Sequence, residues 1–310
     1  MNNKIVDIVG KKKIFFTVSL AVIVLSIVLT FIFGMNVAIE FKGGTIVTYS
    51  YVGTINENEI EKLAADTVGQ TCNATLGESL ADSLTTVALS FPASEGISID
   101  SQSALTDALT LAYPDNSLTL YSSQDVNPST GSGFFGKCIM AVAVSAVLMI
   151  LYIGFRFRHI GGWVAGLCAV IALIHDMFFV YACCVICRFD INSNFMAVLL
   201  TILGYSINAT IIIYDRIREN RRLYGEQKSL GELVNMSITQ SMGRSIHTTA
   251  TTVIAMAAIC IVAIVAGVSS IISFAFPLVV GLLAGVYSSN CIAPNLWVLL
   301  QSKIDAKKSK

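Results

Sequence analysis

From position 248 to position 302 the chain carries no formally charged residue. A helix rises about 1.5 Å per residue, so that stretch is far too long for one crossing of a hydrocarbon layer ~30 Å thick and must hold two. Positions 267–270, Gly-Val-Ser-Ser, are the natural turn between them. Hydrophobic residues make up 55% of the 310 and charged residues 13%, a balance that the surface of a water-soluble domain does not sustain. Further apolar runs at 14–34, 136–155, 162–186 and 193–214, with the pair at 248–267 and 271–298, predict six spans. The first follows Lys11, Lys12 and Lys13, has the length of a span and lacks a small-residue cleavage site, so it reads as an uncleaved signal anchor.

The formal charge is zero, which gives no reason to expect a nucleic-acid partner. What matters is that the charges lie in blocks. If six spans alternate, Lys4, Lys11 to Lys13, Arg156, Arg158, Arg216, Arg218, Arg221, Arg222, Lys228, Lys303, Lys307, Lys308 and Lys310 share one side. The positive-inside rule makes that side the cytoplasm and puts both termini of a multi-pass membrane protein there. Residues 36–135 then lie outside, with Lys42 and Lys62 against twelve carboxylates.

That insert alternates strand-like and helix-like segments: strands at 44–51, 85–91 and 117–122, helices at 57–71 and 101–111. The expected architecture is a membrane all-α bundle of six transmembrane helices with a small extracytoplasmic α+β domain of ferredoxin-like type. Its parts are an N-terminal tail and first span (1–35), the outer domain (36–135), the remaining five spans (136–302) and a basic tail (303–310). Pro128, Gly131, Gly133 and Gly136 make 127–136 read as a flexible link into the second span.

Seven of the eight cysteines lie in or beside apolar runs, so they read as small packing residues rather than a disulfide framework; Cys184 and Cys187 in C-x-x-C are no exception. The histidines His159, His175 and His247 do not complete a zinc site, and no G-x-x-x-x-G-K-[ST] loop occurs. No metal, cofactor or catalytic residue is expected, and the protein is not expected to be an enzyme. Gly162-x-x-x-Gly166 and Gly281-x-x-x-Gly285 allow close helix packing, within the chain or against a partner.

Asp176 stands well inside the third predicted span, beside His175. A carboxylate there costs about 2.5–3.5 kcal/mol even on insertion scales, so it faces a partner or water, as a proton relay or as a structural anchor between helices. On the fourth span Thr201, Tyr205 and Asn208 share one face, with Ser206 and Thr210 on an adjacent strip, a seam suited to gripping a neighbour. Asp215 sits just below it among arginines, a setting for interfacial pairing. Arg244 opens the fifth span, and Gly43 and Gly44 mark the corner into the outer domain, as a plain turn or as a hinge. By rise per residue, Asp176 is expected some 22 Å up its helix and Asn208 only about 10 Å above Asp215, levels too different for direct pairing with Arg244. A hydrolase built from Ser206, His175 and Asp176 is disfavoured: neighbours on a helix point about 100° apart, so His175 and Asp176 are not expected to orient one another.

Five segments in order carry a resemblance: Val-Gly-Lys-Lys-Lys at 9–13, Phe-Lys-Gly-Gly-Thr at 41–45, Ala-Leu-Ile-His-Asp at 172–176, Gly-Tyr-Ser-Ile-Asn at 204–208 and Tyr-Asp-Arg-Ile-Arg-Glu-Asn at 214–220. With Ser237 to Ser245 around Arg244, they resemble the SecF family of the bacterial Sec protein-export machinery. The resemblance implies a six-helix half of a SecD–SecF pair, related to the resistance-nodulation-division transporters and acting at the SecYEG channel. It also implies outer domains that hold an emerging preprotein, proton-motive force as the drive, and a link between Arg244 and proton passage. One departure stands out. Where the family's Gly-Tyr-Ser-Ile-Asn runs on to an aspartate of the proton route, this chain has Ala209. A methyl group binds no proton, so two further readings stay in view: a proton-independent scaffold for SecD and the channel, and a small-molecule or lipid exporter of the wider superfamily.

Overall fold

The computed structural model describes residues 5–78, 84–92, 97–266 and 268–308. Gly267 of the predicted turn, and Lys4 and Lys310 of the basic set, lie outside the described residues. Six helices among the described residues are long and apolar enough to cross a membrane.

The first, α1 (Lys12–Phe33), leads through a single short turn, α2 (Ile39–Lys42), into the outer domain. There the order is β1 (Gly44–Ser50), α3 (Glu57–Val68), β2 (Asn73–Glu78), β3 (Thr85–Phe91), α4 (Ile99–Ala112) and β4 (Thr119–Val126). The sheet runs β2-β3-β1-β4 with every neighbouring pair antiparallel, two interleaved split βαβ units, which is the ferredoxin-like arrangement. β2 is the strand that the sequence analysis missed, because Asn-Ala-Thr-Leu-Gly-Glu has neither strong alternation nor β-branched density. Val47, Tyr49, Val87, Leu89 and Phe91 of the sheet close on Ile60, Leu105 and Leu109 of the helices as one core.

Cys72 belongs to that core, and burial pushes its thiol up to about 12. At pH 7.5 a maleimide is therefore expected to leave Cys72 unlabelled in the folded protein and to label it fully once the outer domain is unfolded, as peptide mass spectrometry would read. Labelling of native protein within minutes would mean that this core opens readily.

The chain leaves the sheet directly into α5 (Pro128–Arg156). The flexible link expected at 127–136 is helix instead. Asn127 caps it by accepting from the Ser129 N–H, and Pro128 occupies the first helical position, so residues that read as a linker by composition are a helix-start signal. Then follow α6 (Gly162–Cys187), α7 (Ser193–Tyr224), α8 (Leu230–Ala266), α9 (Ser269–Tyr287) and α10 (Ala293–Lys308), the last two joined into one span by a π turn at Ser288–Ile292. α7 runs ten residues past its predicted end and α8 starts eighteen before its predicted beginning, since hydropathy marks only the part of a helix in hydrocarbon.

α6 and α7 are the centre of the bundle, whereas α1, α5 and α8 expose most of their apolar surface. The glycine pairs serve packing within the chain: Gly162 and Gly166 lie against Gly154 and Ile150 of α5, and Gly281 and Gly285 against Ile202 and Ser206 of α7. The two ends of the bundle differ. At one, the extended chain ahead of α1 reaches the start of α8, with the Ile8 and Val9 N–H groups donating to Asn235 Oδ1 at 3.0 and 2.9 Å, and Arg156 meets Asp215. At the other sits the sheet domain, where Val37 forms a parallel bridge with Ile191 of the α6–α7 turn.

Candidate functional site

Asp176 is wholly buried and His175 nearly so, at 0% and 4% exposure. Three helices converge on the carboxylate. Ser206 of α7 donates its hydroxyl to Oδ2 at 2.7 Å, Ser288 of the π turn donates to the same oxygen at 2.8 Å, and His175 Nδ1 lies 3.1 Å from Oδ1. A second tier extends the network: Ser289 donates to the Ser206 carbonyl at 3.1 Å and Thr210 donates to the Ser289 hydroxyl at 2.9 Å. The π turn makes this possible, because its wider winding brings Ser288, Ser289 and Asn290 all to the interior. His175 Nε2 is buried and meets no hydrogen-bond partner among the described residues, and the ring lies near Phe179 and Tyr287.

Two expectations are corrected here. His175 and Asp176 do meet, because side-chain rotation closes the 100° between neighbouring Cα–Cβ directions. Ser206, His175 and Asp176 come together, yet in the wrong order for nucleophilic catalysis: the serine proton is directed at the aspartate, with the histidine on the carboxylate's far side. The expected difference in level between Asp176 and the Asn208 turn is not found, although Asp176 and Arg244 stay apart as expected. Asp176 bonds Ser206, two residues from Asn208, so rise per residue counted from the ends of two different helices did not give their relative height.

The other predicted residues form a separate group nearer the basic end. Asp215 pairs with Arg218 at 2.7 Å and Arg156 at 3.2 Å. With Tyr152, Arg156 and Gln240, Asp215 and Arg244 line a cleft of about 500 Å³. Asp176 is not part of it, so no direct contact joins Asp176 and Arg244. Asn208 is exposed, and Ala209 is buried one turn below Ser206. The seam on α7 divides: Tyr205 reaches Thr249 and Thr252 of α8 at 3.4 and 3.2 Å, while Ser206 and Thr210 turn into the Asp176 network. Sequence reasoning missed Ser288 and Ser289; the run Ser-Ser-Asn at 288–290 inside an uncharged apolar stretch was the available signal.

Gly43 and Gly44 have φ of 89° and 136°, both in the region that glycine adopts freely. A side chain at Gly43 would meet the Cα of Pro128 at 2.6 Å, so the strands of chain entering and leaving the outer domain are pressed together. Glu40 Oε2 accepts from the Ser193 N–H at 2.9 Å, capping α7. Arg188 donates to the Phe33 carbonyl at the end of α1.

A six-span bundle that buries Asp176 among serines and carries a ferredoxin-like domain between its first two spans is the architecture of a multi-pass membrane protein with one domain outside the bilayer. A profile described as "Protein export membrane protein SecD/SecF, C-terminal" matches residues 104–303. A protein translocase subunit SecF from Alicyclobacillus acidocaldarius is 31% identical over 315 residues, covering 98% of this chain and 96% of the relative. Protein translocase subunit SecDF of Bacillus subtilis is 32% identical over 299 residues, and there the match spans 94% of this chain but 38% of the longer relative. The crystal structure of SecDF from Thermus thermophilus, a translocon-associated membrane protein, superposes with a TM-score of 0.78 at 26% identity, over 99% of this chain and 39% of that one. The chain belongs to the SecD/SecF family of protein-export membrane proteins, with SecF as its counterpart of matching length.

Proposed function

We propose that this chain is the SecF-type accessory subunit of a Sec translocase, assisting the passage or release of preproteins across the bacterial cytoplasmic membrane together with SecD and SecYEG. The observation that carries this reading is the end-to-end match to SecF, 98% of this chain against 96% of the relative. In this reading the basic end of the bundle faces the cytoplasm with both termini, the sheet domain faces outward, and the protein performs no covalent chemistry of its own.

One exposed face supports a membrane-embedded partner. Asn208 of α7 and His247 and Thr248 of α8 are exposed beside the Tyr205 contact between the two helices, whereas the exposed Thr201 and Thr251 return their hydroxyls to the Ala197 and Thr248 carbonyls. Polar side chains left facing acyl tails are costly, and facing another subunit's helices they find partners. We assign this face to SecD. Proton-motive force, where it acts, works on the Asp176 network rather than at position 209, where a methyl group stands.

Affinity purification in a mild detergent tests the assignment. SecD and SecYEG are expected to co-elute, and a bulky Asn208→Trp substitution on the exposed face is expected to release SecD while the bundle stays folded. An eluate holding neither SecD nor SecYEG, from membranes that contain both, would overturn it.

A further inference from the structure

The two edges of the outer sheet are treated differently. On β2 two of the three outward-facing N–H groups, those ahead of the terminal Glu78, are taken: Ala74 donates to Glu61 Oε2 at 3.2 Å, and the Leu76 N–H bonds the Glu57 carboxylate. The fit follows from two periods, since four helical residues advance about 6 Å and two strand residues about 6.8 Å. Glu57 and Glu61, one turn apart on α3, thus cap alternate residues of the strand. β2 also faces the bundle across a cleft lined by Asp190, Asn192, Asn194 and Ser273. The middle of that edge is closed.

The β4 edge is open. Tyr51 donates its N–H to the Thr85 carbonyl, so Thr45, Val47 and Tyr49 of β1 turn their main chain toward β3, and Ile46 and Thr48 turn theirs toward β4. The register partners Gln124 and Ser122 face inward, which leaves the N–H and C=O groups of Ser123 and Asp125 facing outward. Among the described residues no strand pairs with that side, and most of β4 is exposed. The strand, Thr-Leu-Tyr-Ser-Ser-Gln-Asp-Val, has no lysine or proline of the kind that blunts free edges. Its irregularity at Tyr121 confines regular pairing to 122–126, about 17 Å. The strand ends in a cleft of about 560 Å³ where Val126 meets Glu40, Phe134 and Lys137 at the start of α5. Across 36–135 twelve carboxylates stand against two lysines, so the net charge of the segment as a whole favours a neutral or basic chain over an acidic one.

We propose that β4 is a strand-addition site for an extended, unfolded polypeptide of neutral or basic sequence, laid along residues 122–126 with one end in the cleft at Phe134. The proposal rests on the export reading and adds to it the surface and the binding mode. Main-chain pairing supplies affinity with little regard to sequence, which is what a carrier of many different chains requires.

The test uses the full chain in membranes with its Sec partners and a substrate protein stalled unfolded in transit. A photo-crosslinking residue at Gln124 is expected to capture the substrate at least about fivefold more than one at Thr75 on the capped edge. Ser123→Pro, which removes an outward donor, lowers capture at position 124 about fivefold, the effect of one lost hydrogen bond, while Ser123→Ala does not. Without any substitution, hydrogen exchange at the Ser123 and Asp125 amides slows when an unfolded basic peptide is added. Equal capture at Thr75, adducts at Gln124 only to a folded partner domain, or unchanged exchange would each overturn the proposal. Loss of SecD and SecYEG from the purified complex is a different result, and it alone removes the export reading.

Discussion

Asp176→Asn is expected to leave the bundle folded while removing the gradient-dependent part of preprotein export, and Asp176→Ala is expected to lose both. The carboxylate accepts from Ser206 and Ser288 through one oxygen and meets His175 through the other. An amide of the same shape keeps an acceptor for the two serines, so the thermal midpoint in detergent stays near that of the parent. Alanine leaves two buried hydroxyls without their acceptor and an imidazole without its partner. Each orphaned group costs about 1–3 kcal/mol, and Ser288 recovers part of it through the Gly285 carbonyl at 3.3 Å. The loss is about 3–6 kcal/mol in all, enough to show as a large fall in the midpoint. The asparagine variant carries the functional information, because it preserves geometry and abolishes exchange of a proton. Export by vesicles with and without a proton gradient separates the outcomes: undiminished gradient stimulation in Asp176→Asn would reduce the residue to an anchor between α6, α7 and the π turn.

That experiment bears on what the sequence disclosed. An isolated carboxylate in an apolar run announces itself, since hydrocarbon tolerates it only with partners, and Asp176 was legible for that reason. Its partners were not. Ser206 was visible as a polar residue on α7, but whether it gripped a neighbouring helix or faced the interior depends on how far two helices slide past one another, which rise per residue does not fix. Ser288 and Ser289 depend on a π turn that leaves no mark in hydropathy. In the outer domain, β1, α3, β3, α4 and β4 followed from alternation and helical period, and β3 from Thr85 to Phe91 was read to the residue. β2 escaped because an edge strand is stabilised by its neighbour and by the Glu57 and Glu61 caps more than by its own composition. The six spans were legible because the bilayer imposes their length. The extensions of α7 and α8 beyond it obey ordinary helix packing, such as the Asn220 to Ser237 hydrogen bond at 2.8 Å, and a hydropathy window does not see them.

Gly43→Ala is expected to dislodge the outer domain from the bundle, and Gly34→Ala to do far less. Both glycines have positive φ, 73° at Gly34 and 89° at Gly43, so alanine strains the backbone at either, by about 1–3 kcal/mol. Gly34 has nothing within 4 Å of an added methyl, whereas at Gly43 the methyl would sit 2.6 Å from the Pro128 Cα, a backbone atom that cannot rotate away. The difference between the two variants therefore isolates the contact between α2 and α5. It also decides how the corner works. The Gly43 N–H bonds the Ile39 carbonyl at 2.7 Å, the Ala38 N–H bonds Ile191 at 3.1 Å, and Glu40 caps α7, so α2 is braced against two spans at once. If the corner is rigid, those amides exchange slowly in the parent and fast in Gly43→Ala, with the outer domain becoming sensitive to protease at residues 36–43. Fast exchange in the parent would instead make Gly43 and Gly44 a hinge. In the braced case any tilt of the outer domain must carry the start of α7 with it, and α7 is the helix that presents Ser206 to Asp176.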